Sequence, residues 1–414
     1  MTTPSPVTSG PLAGLRVLDL SRVLAGPWAT QMLGDLGAEV IKVEQPGQGD
    51  DTRRWGPPFL DDGSGDSAYY LCANRNKRSV AIDLADPRGA DLIRALAVDA
   101  DIVVENFKVG GLAKYGLDYA GLSAVNPRLI YCSITGFGQD GPYASRAGYD
   151  FLIQGMSGLM SITGRPDGEP GGGPMKVGIP ICDLVTGLYA TVSILAALAH
   201  RDRTGEGQSI DMALLDSQLA LLANQASNYL NGGMIPGRMG NEHPNLVPYQ
   251  DFACADADVL IALGNDRQFR AFCGLIGRAD LADDPRFVAN AGRNRNRKLL
   301  HAEMASAIVK WRADDLVAAM EVDKLPGGRV NDIPQILADD HVLARDLIHD
   351  MARSDGTVVK VLGFPGQLSR TPADYRQAPP RAGENTREVL EALPGMDART
   401  LAALIADGVV GQAS

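Results

Sequence analysis

The chain is poor in the residues that most often announce a function. Its five cysteines, Cys72, Cys132, Cys182, Cys254 and Cys273, are scattered, with no CxxC and no Cys/His cluster. That gives no support to a zinc site or a disulfide framework, and it fits a reducing cytoplasm. An excess of positive charge is missing as well: 39 Lys and Arg stand against 50 Asp and Glu, a net charge of -11. A nucleic-acid partner, which needs a basic face, is therefore not expected, although a pocket can be locally basic on an acidic protein. No secretory signal is evident, and the first ten residues, MTTPSPVTSG, read as a disordered leader. The most apolar run, Leu184 to Ala199, is short for a bilayer and carries Thr, Ser and Tyr. It reads as a buried helix, and no membrane partner is expected.

Familiar motifs are absent too. The turn after the first strand is SRVLAGPWAT, without G-x-G-x-x-G, and Pro27 lacks an amide for a pyrophosphate, so a dinucleotide reading with Glu44 on a ribose is weak. GEPGGGPMK has no Ser or Thr after its Lys and reads as a loop, not a phosphate cradle. No G-x-S-x-G occurs, and the five histidines stand in no recognisable context.

What is present is an alternation. Leu15 to Leu20 reads as a buried strand, Trp28 to Leu36 as a helix with Pro27 in its first turn, and Val40 to Val43 as a second strand. Strands recur at Ser79 to Ile82, Ile102 to Val104, Leu129 to Ser133 and Ser209 to Met212, with a helix at Gly89 to Ala97 and a long one from Asp183 to His200. This predicts an α/β fold, a Rossmann-like large domain with a parallel sheet and helices on both faces. A chain of 414 residues exceeds one ordinary core. We expect a leader over residues 1–10, a large domain over 11–225 ending in linker helices, a linker and smaller α+β domain over 226–329, and a last segment over 330–414.

Several loops carry chemistry. ANRNKRS places Arg75, Lys77 and Arg78 just before a strand. VENFKVGGLAKYG places Asn106, Phe107, Lys108 and Lys114 after one, at the carboxyl edge where open α/β sheets bind ligands. SITGFGQDGPY offers Thr135, Gly136, Phe137 and Gly138. Taken as sharing one sheet edge, these loops would hold an aromatic base, phosphates and a long thin arm; singly, each basic cluster reads as a solvated surface. Asp150 follows Gly148-Tyr149 and opens an apolar run. It reads either as a helix cap or as an unsolvated nucleophile.

PLAGLRVLDLSRVLAGPWATQMLGDLGAEVIKVEQP, NRNKRS, VENFKVGGL, NPRLIYCSITGFGQDGPY and GYD resemble the class III CoA-transferases, relatives of formyl-CoA and carnitine CoA-transferases in a superfamily with α-methylacyl-CoA racemases. The likeness continues through DLVTGLYATVSILAALAHRDRTGEGQSIDMALLDS, VNDIPQILADDHVLARDL and RAGENTREVL. It implies an interlocked ring-shaped homodimer, with residues 330–414 returning to the large domain. It further implies Asp150 as covalent nucleophile and CoA contacts at Leu24, Ala25, Asn74, Arg75, Lys77, Asn106, Phe107, Lys108, Lys114, Thr135, Gly136, Phe137 and Gly138. CoA and acyl-CoA would be substrates, with no tightly bound cofactor and no metal. Leu24 and Gln45 stand where the formyl-CoA transferase pattern has Gln and Arg, and the four-glycine loop is replaced by GNEHPNLVPYQ, with His243 and Pro244. These departures speak against formate and oxalate and fit succinyl-CoA or another dicarboxyl thioester, with a carboxylic acid as acceptor. Two rivals stand beside this reading. One is a racemase, which in this family needs a His shortly before NPRLIY, where GLDYAGLSAV has none. The other is a CoA- or nucleotide-binding protein without chemistry.

Overall fold

A computed structural model describes residues 10–413; the leader expected over 1–10 lies outside the described residues except for Gly10. Two compact units are present. One comprises the chain up to Leu159, Lys176–Met234 and the chain from Asp346 on, and the other comprises Met160–Met175 and Ile235–Arg345.

The larger unit is built on seven strands: β1 Arg16–Asp19, β2 Glu39–Glu44, β3 Lys77–Ile82, β4 Ile102–Glu105, β5 Ile130–Thr135, β6 Gln208–Ala213 and, near the end of the chain, β12 Val410–Gly411. Their order is β12-β3-β2-β1-β4-β5-β6. All neighbours run parallel except β12, which pairs antiparallel with β3. Residues such as Val17, Val80, Val103, Val104 and Ile130 are fully buried, as expected for strands covered on both faces. Chain direction across the sheet reverses between β1 and β4, so a crevice opens beyond their carboxyl ends. The large parallel sheet predicted from the strand-helix alternation is therefore present.

Two apolar layers flank the sheet. The helix Ile181–Thr204 is long and apolar enough to cross a membrane by length and composition. Cys182, Ala190, Ile194, Ala197 and Leu198 on it nevertheless join Ala29 and Leu33 of the helix Ala25–Asp35 in one core cluster against the strands. Gly205, at φ 82, ends it in the left-handed conformation that glycine takes at low cost. Two helices follow β6, Leu214–Leu221 and Ala223–Gly232, with the break where Ala223 takes a φ of 40. In the same unit β10 Ile348–Ala352 and β11 Val358–Leu362 form a hairpin. Its Arg353 bridges Asp62 at 2.7 Å and Asp66 at 2.5 Å, tying the end of the chain to an early loop.

The smaller unit holds an antiparallel sheet of β7 Tyr249–Ala253, β8 Asp258–Ala262 and β9 Gly327–Arg329. Helices close over it around Phe269, Phe272, Phe287, Leu300 and Met304, all buried.

Candidate active site

The turn after β1 is held from below by buried charge. Asp19 accepts from the Ser21 amide (3.0 Å) and hydroxyl (2.5 Å), from Thr30 Oγ1 (2.6 Å) and from Lys77 Nζ (3.0 Å). Burial pushes the Asp19 carboxyl up, but Lys77, Lys42 and the two hydroxyls outweigh it and leave it below the ordinary value. Lys42 Nζ donates to Ser21 O at 2.9 Å and to Asp50 at 2.8 Å, and Asp50 in turn accepts the Val23 amide at 3.3 Å. Asn106, just past β4, clamps Arg22 through both amide N–H (2.9 Å) and carbonyl (2.6 Å). Val23 is thereby kept at a φ of 70, a strained value for a β-branched residue. The helix Ala25–Asp35 then starts with no side-chain cap and no acid in its first turn, leaving its positive end open.

A cleft of about 400 Å³ lies at this point. It brings together eight of the residues singled out in the sequence: Leu24, Ala25, Asn106, Phe107, Lys108, Thr135, Gly136 and Asp150. A neighbouring hollow of about 230 Å³, lined by Ser21, Lys42, Glu44, Gln45, Ile82 and Phe107 among others, continues along the carboxyl ends of β1 to β3. Together they give a long site of the size that small-molecule ligands occupy.

Six of the expected contacts, Asn74, Arg75, Lys77, Lys114, Phe137 and Gly138, are not in the lining of the cleft. Asn74 and Arg75 precede β3 and Lys77 opens it, so their backbone stands at the amino edge of a parallel sheet while the cleft opens at the carboxyl edge. All three are buried. Arg75 pairs with Asp35 through Nε (2.9 Å) and Nη2 (2.5 Å), and Asn74 joins Tyr70 O (2.8 Å) to Lys77. Lys77 is spent on Asp19 and Pro27 O, and burial draws its ammonium down to about 8. Through these pairs Arg75 and Lys77 hold the inside of the domain together. Phe137 is packed in the core, edge-on to Tyr143 at 5.6 Å, and the Gly138 amide is used by Thr135 Oγ1 at 2.9 Å. Lys114 is exposed beside the Tyr115 ring and does not line the cleft.

Asp150 lies in the cleft, but its carboxylate is occupied. Oδ1 accepts from the amides of Cys182 (2.7 Å) and Asp183 (3.4 Å), and Oδ2 accepts from Gln154 Nε2 (2.7 Å). It therefore caps the start of the helix Ile181–Thr204 while opening its own helix, Asp150–Met156. The capping reading of Asp150 describes the geometry, though the helix capped is not the one it begins.

The residue missed in the sequence is Asp183. It lines the same cleft, one residue beyond Cys182 in the first turn of the long helix. Burial pushes its carboxyl up to about 7, and the Asp150 carboxylate beside it adds to that. No hydrogen bond to its carboxyl offsets either effect. Asp183 is thus the less engaged carboxylate of the pair. Arg22 and Arg146, also unmarked in the sequence, complete the lining. Among the described residues no group of three His, Cys, Asp or Glu is placed to hold a metal, and no His lines the cleft.

Known proteins give the same direction. CoA-transferase family III matches residues 12–386. A succinate–glutarate CoA-transferase of Agrobacterium fabrum is 50% identical over 394 residues, covering 94% of this chain and 98% of that protein. A succinyl-CoA:glutarate CoA-transferase of Mus musculus is 42% identical, covering 97% and 91%. Among solved structures, a CAIB/BAIF family protein from Brucella suis superposes with a TM-score of 0.84 at 47% identity, over 93% of this chain and 100% of that one. An Asp→Ala variant of Rv3272 from Mycobacterium tuberculosis gives 0.82 at 31% identity, with coverage of 93% and 100%. The family resemblance of the sequence motifs is borne out: the chain belongs to CoA-transferase family III.

Proposed function

We propose that this CoA-transferase moves CoA from succinyl-CoA, or another dicarboxyl-CoA, to a dicarboxylic acid such as glutarate, with Asp183 as covalent nucleophile and Asp150 as its positioning partner. The observation that carries the reading is the pair of carboxylates at the β1/β4 crevice of a family III chain, one fully hydrogen-bonded and one bare. The relatives' names supply the acids.

The chemistry follows from the need to conserve a thioester. An Asp183 oxygen attacks the thioester carbonyl, the C–S bond breaks, and CoA thiolate leaves a mixed anhydride. The thiolate attacks the aspartyl carbonyl and releases the donor acid, so that Asp183 carries CoA as a thioester. The acceptor carboxylate attacks that thioester, and the same two steps in reverse return Asp183 free and the acceptor as its CoA ester. Splitting one hard exchange into four acyl transfers is the general advantage of such a nucleophile. The open start of the helix Ala25–Asp35 is suited to developing negative charge on oxygen. Leu24, Ala25, Asn106, Phe107, Lys108, Thr135 and Gly136 form the wall for the CoA arm, and Lys108 is the cation of that wall suited to its phosphates.

Racemisation needs an acid and a base on opposite faces of the α-carbon, and the cleft offers no His as the second group. We further propose that the enzyme works in the cytoplasm as an interlocked homodimer, with residues 330–414 completing the large domain.

Incubation with succinyl-CoA followed by borohydride or hydroxylamine, then peptide mass spectrometry, tests the assignment. The modified peptide should carry the label on Asp183, and Asp183→Asn should abolish both label and transfer. A label on Asp150 with Asp183 untouched would return the nucleophile to Asp150, and full transfer by both Asn variants would remove the covalent mechanism.

A further inference from the structure

Three cations line the cleft that holds Asp150 and Asp183: Arg22, Lys108 and Arg146. Arg22 is committed, since its guanidinium meets Asp51 at 3.1 Å and its backbone is clamped by Asn106. Lys108 follows Asn106 and Phe107 at the end of β4, on the wall proposed for the CoA arm. Arg146 is different: no carboxylate among the described residues pairs with it, yet it is not loose. Its guanidinium carbon lies 3.9 Å from the Tyr143 ring centroid, and that ring meets the buried Phe137 edge-on at 5.6 Å. The Arg146 amide donates to Tyr143 O at 2.9 Å, which closes the turn beneath the stack. A guanidinium held over a ring face can still present its N–H groups to a planar, two-oxygen partner. Only Ala147 to Tyr149 separate it from Asp150 along the chain.

We infer that Arg146 binds the distal carboxylate of the dicarboxylic acid, and so sets the enzyme's preference for diacids over monoacids. A diacid brings two negative charges to a cleft that already holds Asp150 and Asp183. The carboxylate that reacts must approach Asp183, or the thioester on it, so the far one needs a cation of its own. A monoacid has no such need. The inference rests on the transferase reading above and deepens it.

The test compares acceptors with succinyl-CoA as common donor. In a double-displacement reaction kcat/KM for the acceptor reports the second half alone, so the glutarate-to-butyrate ratio isolates recognition of the far carboxylate. Losing one partner of a charge pair predicts a fall in that ratio of about 30-fold or more in Arg146→Gln, with Arg146→Lys in between. Lys108→Met should lower both acceptors together and leave the ratio alone. A ratio unchanged in Arg146→Gln, at an unchanged melting temperature, would overturn the proposal and place Arg146 on the CoA moiety. A wild-type enzyme that uses butyrate as well as glutarate would overturn it too. Absence of any transfer by the wild-type protein would instead sink the substrate reading on which it rests.

Discussion

At the scale of single residues, the proposed mechanism turns on two aspartates that differ in how they are solvated. Asp150 spends its carboxylate on two amides and an amide side chain. Asp183 spends nothing, and burial followed by the charge of Asp150 lifts its carboxyl from the ordinary 3.8 to about 7. The sign of the consequence is fixed. A nucleophilic carboxylate works only when ionised, so kcat/KM should climb with pH and level off above about 7, falling about tenfold per unit below it. Stability moves the other way. Between about 4 and about 7 the folded protein keeps a proton on Asp183 that the unfolded chain has lost, so its contribution is complete at low pH and disappears as pH rises through that window. Melting curves across that range for wild type and Asp183→Asn check this: the variant should lose part of the downward slope, and identical slopes would contradict the burial argument. The sequence pointed to Asp150 through the family resemblance, which set the nucleophile on the Asp of GYD; its own surroundings left cap and nucleophile both open. Asp183 was hidden inside the longest apolar helix, where an acid in the first turn reads as an ordinary match to the helix dipole. The pairs that Arg75 and Lys77 make were hidden for a related reason: a run of cations in sequence does not say whether Asp35 and Asp19 lie beneath it.

At the scale of elements, much was legible. Alternating apolar runs and helical segments located the strands β1 to β6 to within a few residues, because buried parallel strands are continuous in Val, Ile and Leu. The alternation did not reveal which end of each strand a flanking loop occupies in space, and that is why NRNK was grouped with loops it does not join. Nor did it reveal contacts between loops. Gly136, after β5, and Gly148, before Asp150, meet backbone to backbone. A Cβ on Gly136 would sit 2.5 Å from the Gly148 Cα, and one on Gly148 would sit 2.2 Å from the Gly136 Cα. This contact sets how closely the Thr135–Gly136 wall approaches the helix that begins with Asp150. Gly148→Ala must push the two segments apart, so overpacking should lower stability by about 1–3 kcal/mol. Because the cleft wall moves with it, kcat/KM should fall at least tenfold, by the sensitivity of acyl transfer to placement of about an ångström. Gly274→Ala, whose methyl meets open space within the helix Asp266–Leu275, is the control and should leave transfer unchanged. Normal activity in Gly148→Ala would show that the loops give way without moving the aspartates.

At the scale of the whole molecule, the larger unit leaves several large apolar side chains open. Phe151 is 63% exposed, Val192 62% and Leu230 78%, all on helices of that unit, and Leu188, Tyr189 and Tyr229 are open with them. Single apolar side chains on a surface are ordinary, but repetition along neighbouring helices marks a face made for a partner. The partner proposed is a second copy, as the family resemblance implies. If each subunit forms a ring that the other threads, the two cannot separate unless one of them unfolds. Native mass spectrometry should therefore find twice the 43.8 kDa of the chain, with no free monomer on dilution. Mixing separately purified tagged and untagged protein should yield no mixed dimer under native conditions, whereas mixing before refolding from denaturant should yield about half, the statistical share for random pairing of symmetric dimers. A species at the monomer mass would rule out the dimer. Mixed dimers that appear without denaturant would keep the dimer but rule out the interlock, because an ordinary interface exchanges by dissociation while a linked pair of rings has no such route.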